Sequence, residues 1–157
     1  MPVIEIKTEV QLAGVSGKTI ADFLLHCTDR DYQNWWPGTH LAWHTKRQSP
    51  GDTGNVVFFD EYVGKKRLKF EAVVVRYTPG KEIVWQMKKF VRLPVWLVIR
   101  FEDRGEGTVL THVLKAGFPG VGRLLDRLLS LFFTPQFEKD MDEHARTEFK
   151  KLAAILG

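Results

Sequence analysis

His40 and His44, four residues apart, are the first spacing in this sequence that could do chemistry. On a helix they would share a face and reach one metal ion. The alternation around them, His40, Ala42 and His44 against Leu41, Trp43 and Thr45, is that of a strand. Four residues of strand put roughly 13 Å between them, and one ion with bonds of about 2.1 Å cannot reach both. Neither a metal ion nor a cofactor is therefore expected. The chain also lacks a Gly-rich phosphate loop, a nucleophile elbow and a cysteine metal cluster. Its one cysteine, Cys27, rules out an intrachain disulfide. Two further residues, Glu61 and His112, draw interest only through the strands that carry them.

Those strands can be read from the chain. Ile4, Ile6, Thr8 and Val10 alternate with Val3, Glu5, Lys7 and Glu9 as a half-buried strand. Ser16 can cap a short helix with Ile20, Phe23, Leu24 and Cys27 at helical spacing. Thr28 and Asp31 form a capping-box-like pair for a second, which Pro37-Gly38 ends. Strands are then expected over 39–46, 54–63, 66–77, 82–90, 94–102 and 107–116, with turn residues at most junctions. Short connections imply an antiparallel meander. After Gly117-Phe118-Pro119-Gly120 the period turns helical: Leu124, Leu125, Leu128, Leu129, Phe132 and Phe133 make one apolar face. Thr134-Pro135 then opens a helix with Phe137, Met141, Ala145, Phe149, Leu152 and Ile155 in a stripe.

Turn lengths fix which side chains share a face. A two-residue turn at Gly64-Lys65 sets Glu61 opposite Leu68, Phe59 opposite Phe70 and Val57 opposite Ala72. A four-residue turn at 78–81 sets Val74 opposite Trp85 and Ala72 opposite Met87. A three-residue turn at 91–93 sets Met87 opposite Leu97 and Trp85 opposite Ile99. A four-residue turn at 103–106 sets Leu97 opposite His112 and Ile99 opposite Leu110. One face then carries Phe59, Phe70, Val74, Trp85, Met87, Leu97, Ile99, Phe101 and Leu110, with Glu61 and His112 as its polar members. Lys69, Glu71, Gln86, Lys88, Arg100 and Glu102 take the other face. His112 is either a core histidine bonded to backbone or a carboxylate, or a group that orients a ligand or moves a proton. Glu61 is expected at a cavity mouth in contact with water, because a buried lone carboxylate is costly.

One strand, two short helices, six strands and a long terminal helix resemble the START-like, polyketide-cyclase and plant-allergen (SRPBCC) superfamily. The resemblance covers essentially the whole chain, read as one domain over 1–157. Its local marks are Trp35-Trp36-Pro37-Gly38, Gly107-Thr108-Val109-Leu110-Thr111 and Pro135. It implies an α+β helix-grip fold: a curved seven-stranded antiparallel sheet closed over the C-terminal helix, with a cavity between. It also implies a binding or carrier protein for a small hydrophobic molecule or lipid, or a cyclase or dehydratase using the same cavity. No catalytic residue carries over. The ligand-binding residues expected are Glu61, Phe59, Phe70, Trp85, Met87, Leu97, Ile99, Leu110, His112, Phe137 and Met141.

Composition agrees. The 157 residues suffice for a full core, and 11 Phe with 5 Trp can fill it or line a pocket. The net charge of +4 is no nucleic-acid signature, so no nucleic-acid partner is expected. Basic clusters at Lys65-Lys66-Arg67-x-Lys69 and at Lys88-Lys89 with Arg92 are either solvated hairpin ends or a patch for anionic lipid or an acidic partner. Arg123 and Arg127 beside leucines permit an interfacial helix and transient membrane contact. A start without a signal peptide's apolar run, and the lack of a spanning stretch, lead to the expectation of a cytoplasmic protein.

Overall fold

The computed structural model describes residues 4–117 and 123–157, and the side chains of 123–126 and 128 are not among what it describes. The elements are β1 (Ile4–Ala13), α1 (Gly17–Leu25), α2 (Asp29–Trp35), β2 (His40–Arg47), β3 (Val56–Val63), β4 (Lys66–Thr78), β5 (Glu82–Lys89), β6 (Val91–Arg104), β7 (Gly107–Ala116), α3 (Arg123–Phe132) and α4 (Pro135–Leu156). Local chemistry explains the helix starts. The Ser16 hydroxyl accepts from Thr19 N, Thr28 and Asp31 cap each other reciprocally, and Thr134 accepts from Phe137 N ahead of Pro135.

The strands form one antiparallel sheet in the order β1-β7-β6-β5-β4-β3-β2. α4 lies across its concave face. The Thr8 hydroxyl donates to Asp142 Oδ1 at 2.6 Å and ties α4 to edge strand β1. Phe137, Met141, Phe149 and Leu152 of α4 are buried. A smaller cluster of Val84, Val98 and Val113 sits apart from this core, packed with Val75 and Trp96. Leu129, Phe132 and Phe133 pack against the main core. The expected roles of Arg123, Leu124, Leu125 and Leu128, and of Phe118–Gly120, lie outside the described residues.

The first two hairpins have the expected register: Phe59 faces Phe70, Glu61 faces Leu68, and Val74 faces Trp85. The next two are each displaced by two residues. Trp85 pairs with Leu97 rather than Ile99, and Ile99 pairs with His112 rather than Leu110. The β5–β6 hairpin closes at Phe90, which takes a left-handed φ of 67°, and a bulge between Gln86 and Lys88 absorbs the offset. The β6–β7 hairpin turns on Gly105-Glu106 alone, with Arg104 paired to Gly107. A slip of two keeps every side chain on its face, so the inner and outer sets survive.

Candidate functional site

Between the concave face and the helices lies a cavity of about 310 Å³. Of the eleven residues expected to line it, Phe59, Glu61, Phe70, Trp85, Met87, Leu97, Ile99, His112, Phe137 and Met141 do so. Leu110 is not among the lining residues. It is fully buried and pairs with Val10 and Phe101, because the β6–β7 slip carries it one pair further along the sheet. Leu129, Phe132 and Phe133 also line the cavity beside α4.

His112 occupies the row of Thr8 and Ile99, not that of Met87 and Leu97. It is buried, and burial holds its pKa below the ordinary histidine value, so it is neutral near pH 7. Its Nδ1 has no hydrogen-bond partner among the described residues, and neither does Trp85 Nε1. Both residues line the cavity.

Glu61 is not at a watery mouth. Its side chain is only 13% exposed and belongs to a polar cluster on the cavity wall. The Tyr32 hydroxyl donates to Glu61 Oε2 at 2.5 Å, and His144 Nε2 reaches the same oxygen at 3.1 Å. Glu148 Oε2 meets His144 Nε2 at 3.3 Å and His40 Nε2 at 3.2 Å. His40 Nδ1 donates to the Tyr32 carbonyl at 3.2 Å. Thus His40 opens β2, Glu61 comes from β3, and His144 and Glu148 stand one turn apart on α4. One donor atom from each of the four lies within 4.8 Å of the others.

Aromatic rings hold the imidazoles in place. Tyr32 stacks on His40 with centroids 3.8 Å apart, and Trp36 stacks on His144 at 4.9 Å. Trp35 Nε1 donates to the Glu148 carbonyl at 2.6 Å, which fixes α2 against α4. The Trp pair thus braces the polar wall.

Burial alone would drive the proton off His144, but Glu148 and Glu61 outweigh it and lift its pKa to about 10. Burial works against the Glu148 charge too, yet His144 and His40 hold its carboxyl well below the usual carboxylate range. The Tyr32 hydroxyl is pushed well above its ordinary value, by burial first and then by Glu61 and Glu148, so it stays a donor. Tyr32, Glu61, His144 and Glu148 all line the cavity. This wall can bind the polar end of a guest or exchange protons with it.

His44 is elsewhere, with Nδ1 against Asp29 Oδ1 at 2.8 Å and its side chain 45% exposed. His40 and His44 therefore do not converge, and His40 instead meets Glu148 and Glu61. His144 and Glu148 were passed over, although both interrupt the apolar α4 stripe of Phe137, Met141 and Leu152 at helical spacing. A polar residue on a buried stripe was the available signal.

No family model matches the chain, and no curated protein matches it. Solved structures do. The crystal structure of Ara h 8.0201 superposes with a TM-score of 0.67 at 10% identity, covering 99% of this chain and 98% of that one. A START superfamily protein from Mycobacterium smegmatis gives 0.64 at 14% identity, covering 99% of each. The solution structure of the Aha1 dimer from Colwellia psychrerythraea gives 0.59 at 14%, covering 98% of this chain and 96% of that one. The chain thus shares the helix-grip fold of these structures. Among the described residues no helix is long and apolar enough to cross a membrane.

Proposed function

We propose that this chain binds or carries a small hydrophobic molecule or lipid in its internal cavity. The observation that carries this reading is the cavity itself. It measures about 310 Å³, its walls are mostly Phe, Trp, Leu, Ile and Met, and its polar groups are few. An apolar body would lie against Phe59, Phe70, Met87 and Leu97, and a polar end would meet His112 or the Tyr32–Glu61–His144 wall. The START-like fold supports the same reading by resemblance. Native mass spectrometry of gently purified protein should show a co-purifying apolar ligand, or uptake of an added fatty-acid-like probe. Leu97→Trp, which fills the cavity, should abolish uptake. Neither ligand nor uptake in the native protein would refute the carrier reading.

A second reading is a cyclase- or dehydratase-type enzyme in the same cavity. The observation that favours it is the convergence of Tyr32, Glu61 and His144 at hydrogen-bond distance on the cavity wall. Under this reading Glu61→Gln removes turnover while uptake of the apolar probe persists. Under the carrier reading no turnover exists to lose.

Delivery to and from a membrane surface fits either reading. Phe90 and Val91, at the tip of the β5–β6 hairpin, are 95% and 67% exposed, and Lys88, Lys89 and Arg92 flank them. An apolar tip ringed by cations suits transient contact with anionic lipid.

A further inference from the structure

We propose that His40, Glu61, His144 and Glu148 are the ligands of a mononuclear site for a divalent metal ion of the zinc class, opening onto the cavity. A tetrahedral ion with bonds of about 2.0–2.1 Å needs donor atoms about 3.3–3.4 Å apart. Four donor-to-donor distances here are 3.1, 3.2, 3.3 and 3.8 Å. The remaining separations stay within 4.8 Å. Small side-chain adjustments convert this ring of hydrogen bonds into a coordination shell.

Ligand chemistry agrees with the geometry. Two imidazoles and two carboxylates form a borderline nitrogen–oxygen set, suited to zinc and its first-row neighbours rather than to calcium. Two carboxylates bring two negative charges, and a divalent ion with neutral imidazoles leaves the buried cluster uncharged.

The surrounding groups are those a metal site uses. His40 gives its Nδ1 proton to the Tyr32 carbonyl, which leaves Nε2 as the atom turned toward the cluster. The Tyr32 hydroxyl holds the Glu61 carboxylate. Stacked Tyr32 and Trp36 rings fix the two imidazole planes. Glu61, His144 and Glu148 line the cavity, so a fifth position on the ion would face the guest. There the ion would polarise a guest carbonyl or hydroxyl. The site stands on these four side chains alone and does not depend on the carrier reading.

The test uses the full chain, stripped with chelator and titrated with Zn²⁺ by calorimetry and with Co²⁺ by visible absorption. One ion per chain is expected, with the intense bands of low-coordinate cobalt. Glu61→Gln and Glu148→Gln, near-isosteric changes, should each weaken binding at least about 100-fold. Where a variant does not fold, ¹⁵N spectra of the wild type serve instead: Zn²⁺ should shift the His40 and His144 ring nitrogens and leave His26 and His44 unmoved. Absence of binding at millimolar Zn²⁺, unchanged affinity in both variants, or shifts confined to His26 and His44 would each overturn the proposal. Uptake of an apolar fluorescent probe is measured on the stripped protein in parallel. Uptake without metal binding defeats the metal site alone, and metal binding without uptake defeats the carrier reading alone.

Discussion

At the scale of single residues, burial decides the chemistry. His112 is buried with Nδ1 unpaired among the described residues, which costs stability that a bound guest can return. His112→Phe should therefore leave the melting temperature unchanged or raise it. The same variant should weaken a guest with a polar end by about 0.5–1.5 kcal/mol, the worth of one hydrogen bond, and leave a purely apolar guest unaffected. Thermal unfolding and probe titration on one preparation measure both. Cys27 shows the opposite use of burial. Desolvation, then Asp31 and Asp29, push its thiol pKa well above the usual range, so almost none is thiolate near pH 8. Intact-mass measurement after iodoacetamide treatment should show slow alkylation of native protein and rapid alkylation in denaturant. Equal rates would show that the α1–α2 corner opens freely.

At the scale of elements, α4 serves two faces of the argument. Met141 is buried yet lines the cavity. Met141→Ala should destabilise by about 2 kcal/mol, the low end for such truncations, because one side of the side chain already lacks packing partners. Urea unfolding measures this, and a loss near zero would mean that α4 does not seal the sheet. Much at this scale was legible in the chain. Ser16, Thr28, Asp31 and Thr134 announced three helix starts, and strand alternation gave the inner face. The two register slips were not legible. Nothing in Lys89-Phe90-Val91 advertises a phenylalanine in a left-handed conformation, and parity alone cannot tell a two-residue turn from a four-residue one. The polar wall was hidden for a different reason. Its members come from residues 32–148, and only the tertiary fold brings Glu61 to His144, 83 residues away.

At the scale of the whole molecule, charge and exposed apolar surface coincide at the β5–β6 tip. Binding to vesicles containing phosphatidylserine should be detectable at low salt and should fall as salt rises, since cations supply part of the attraction. Phe90→Ser with Val91→Ser should remove binding while cavity uptake persists, because neither residue lines the cavity. Co-sedimentation separates the two properties. Binding that ignores both salt and these substitutions would place the contact elsewhere.

The pairing of β1 with β7 also sets a timetable for synthesis. β1 is an edge strand whose one sheet neighbour is β7, and β7 is complete only at Ala116, about 100 residues after β1 ends. At ~5–20 residues per second, a ribosome takes roughly 5–20 s to make that stretch. Throughout it, Ile6, Val10 and Leu12 have neither the neighbouring strand nor the α4 cover that buries them in the finished protein. An unpaired strand with one oily face is a template for joining other chains. What shields the nascent β1 during those seconds is thus a demand of this topology that the stability of the finished protein does not report.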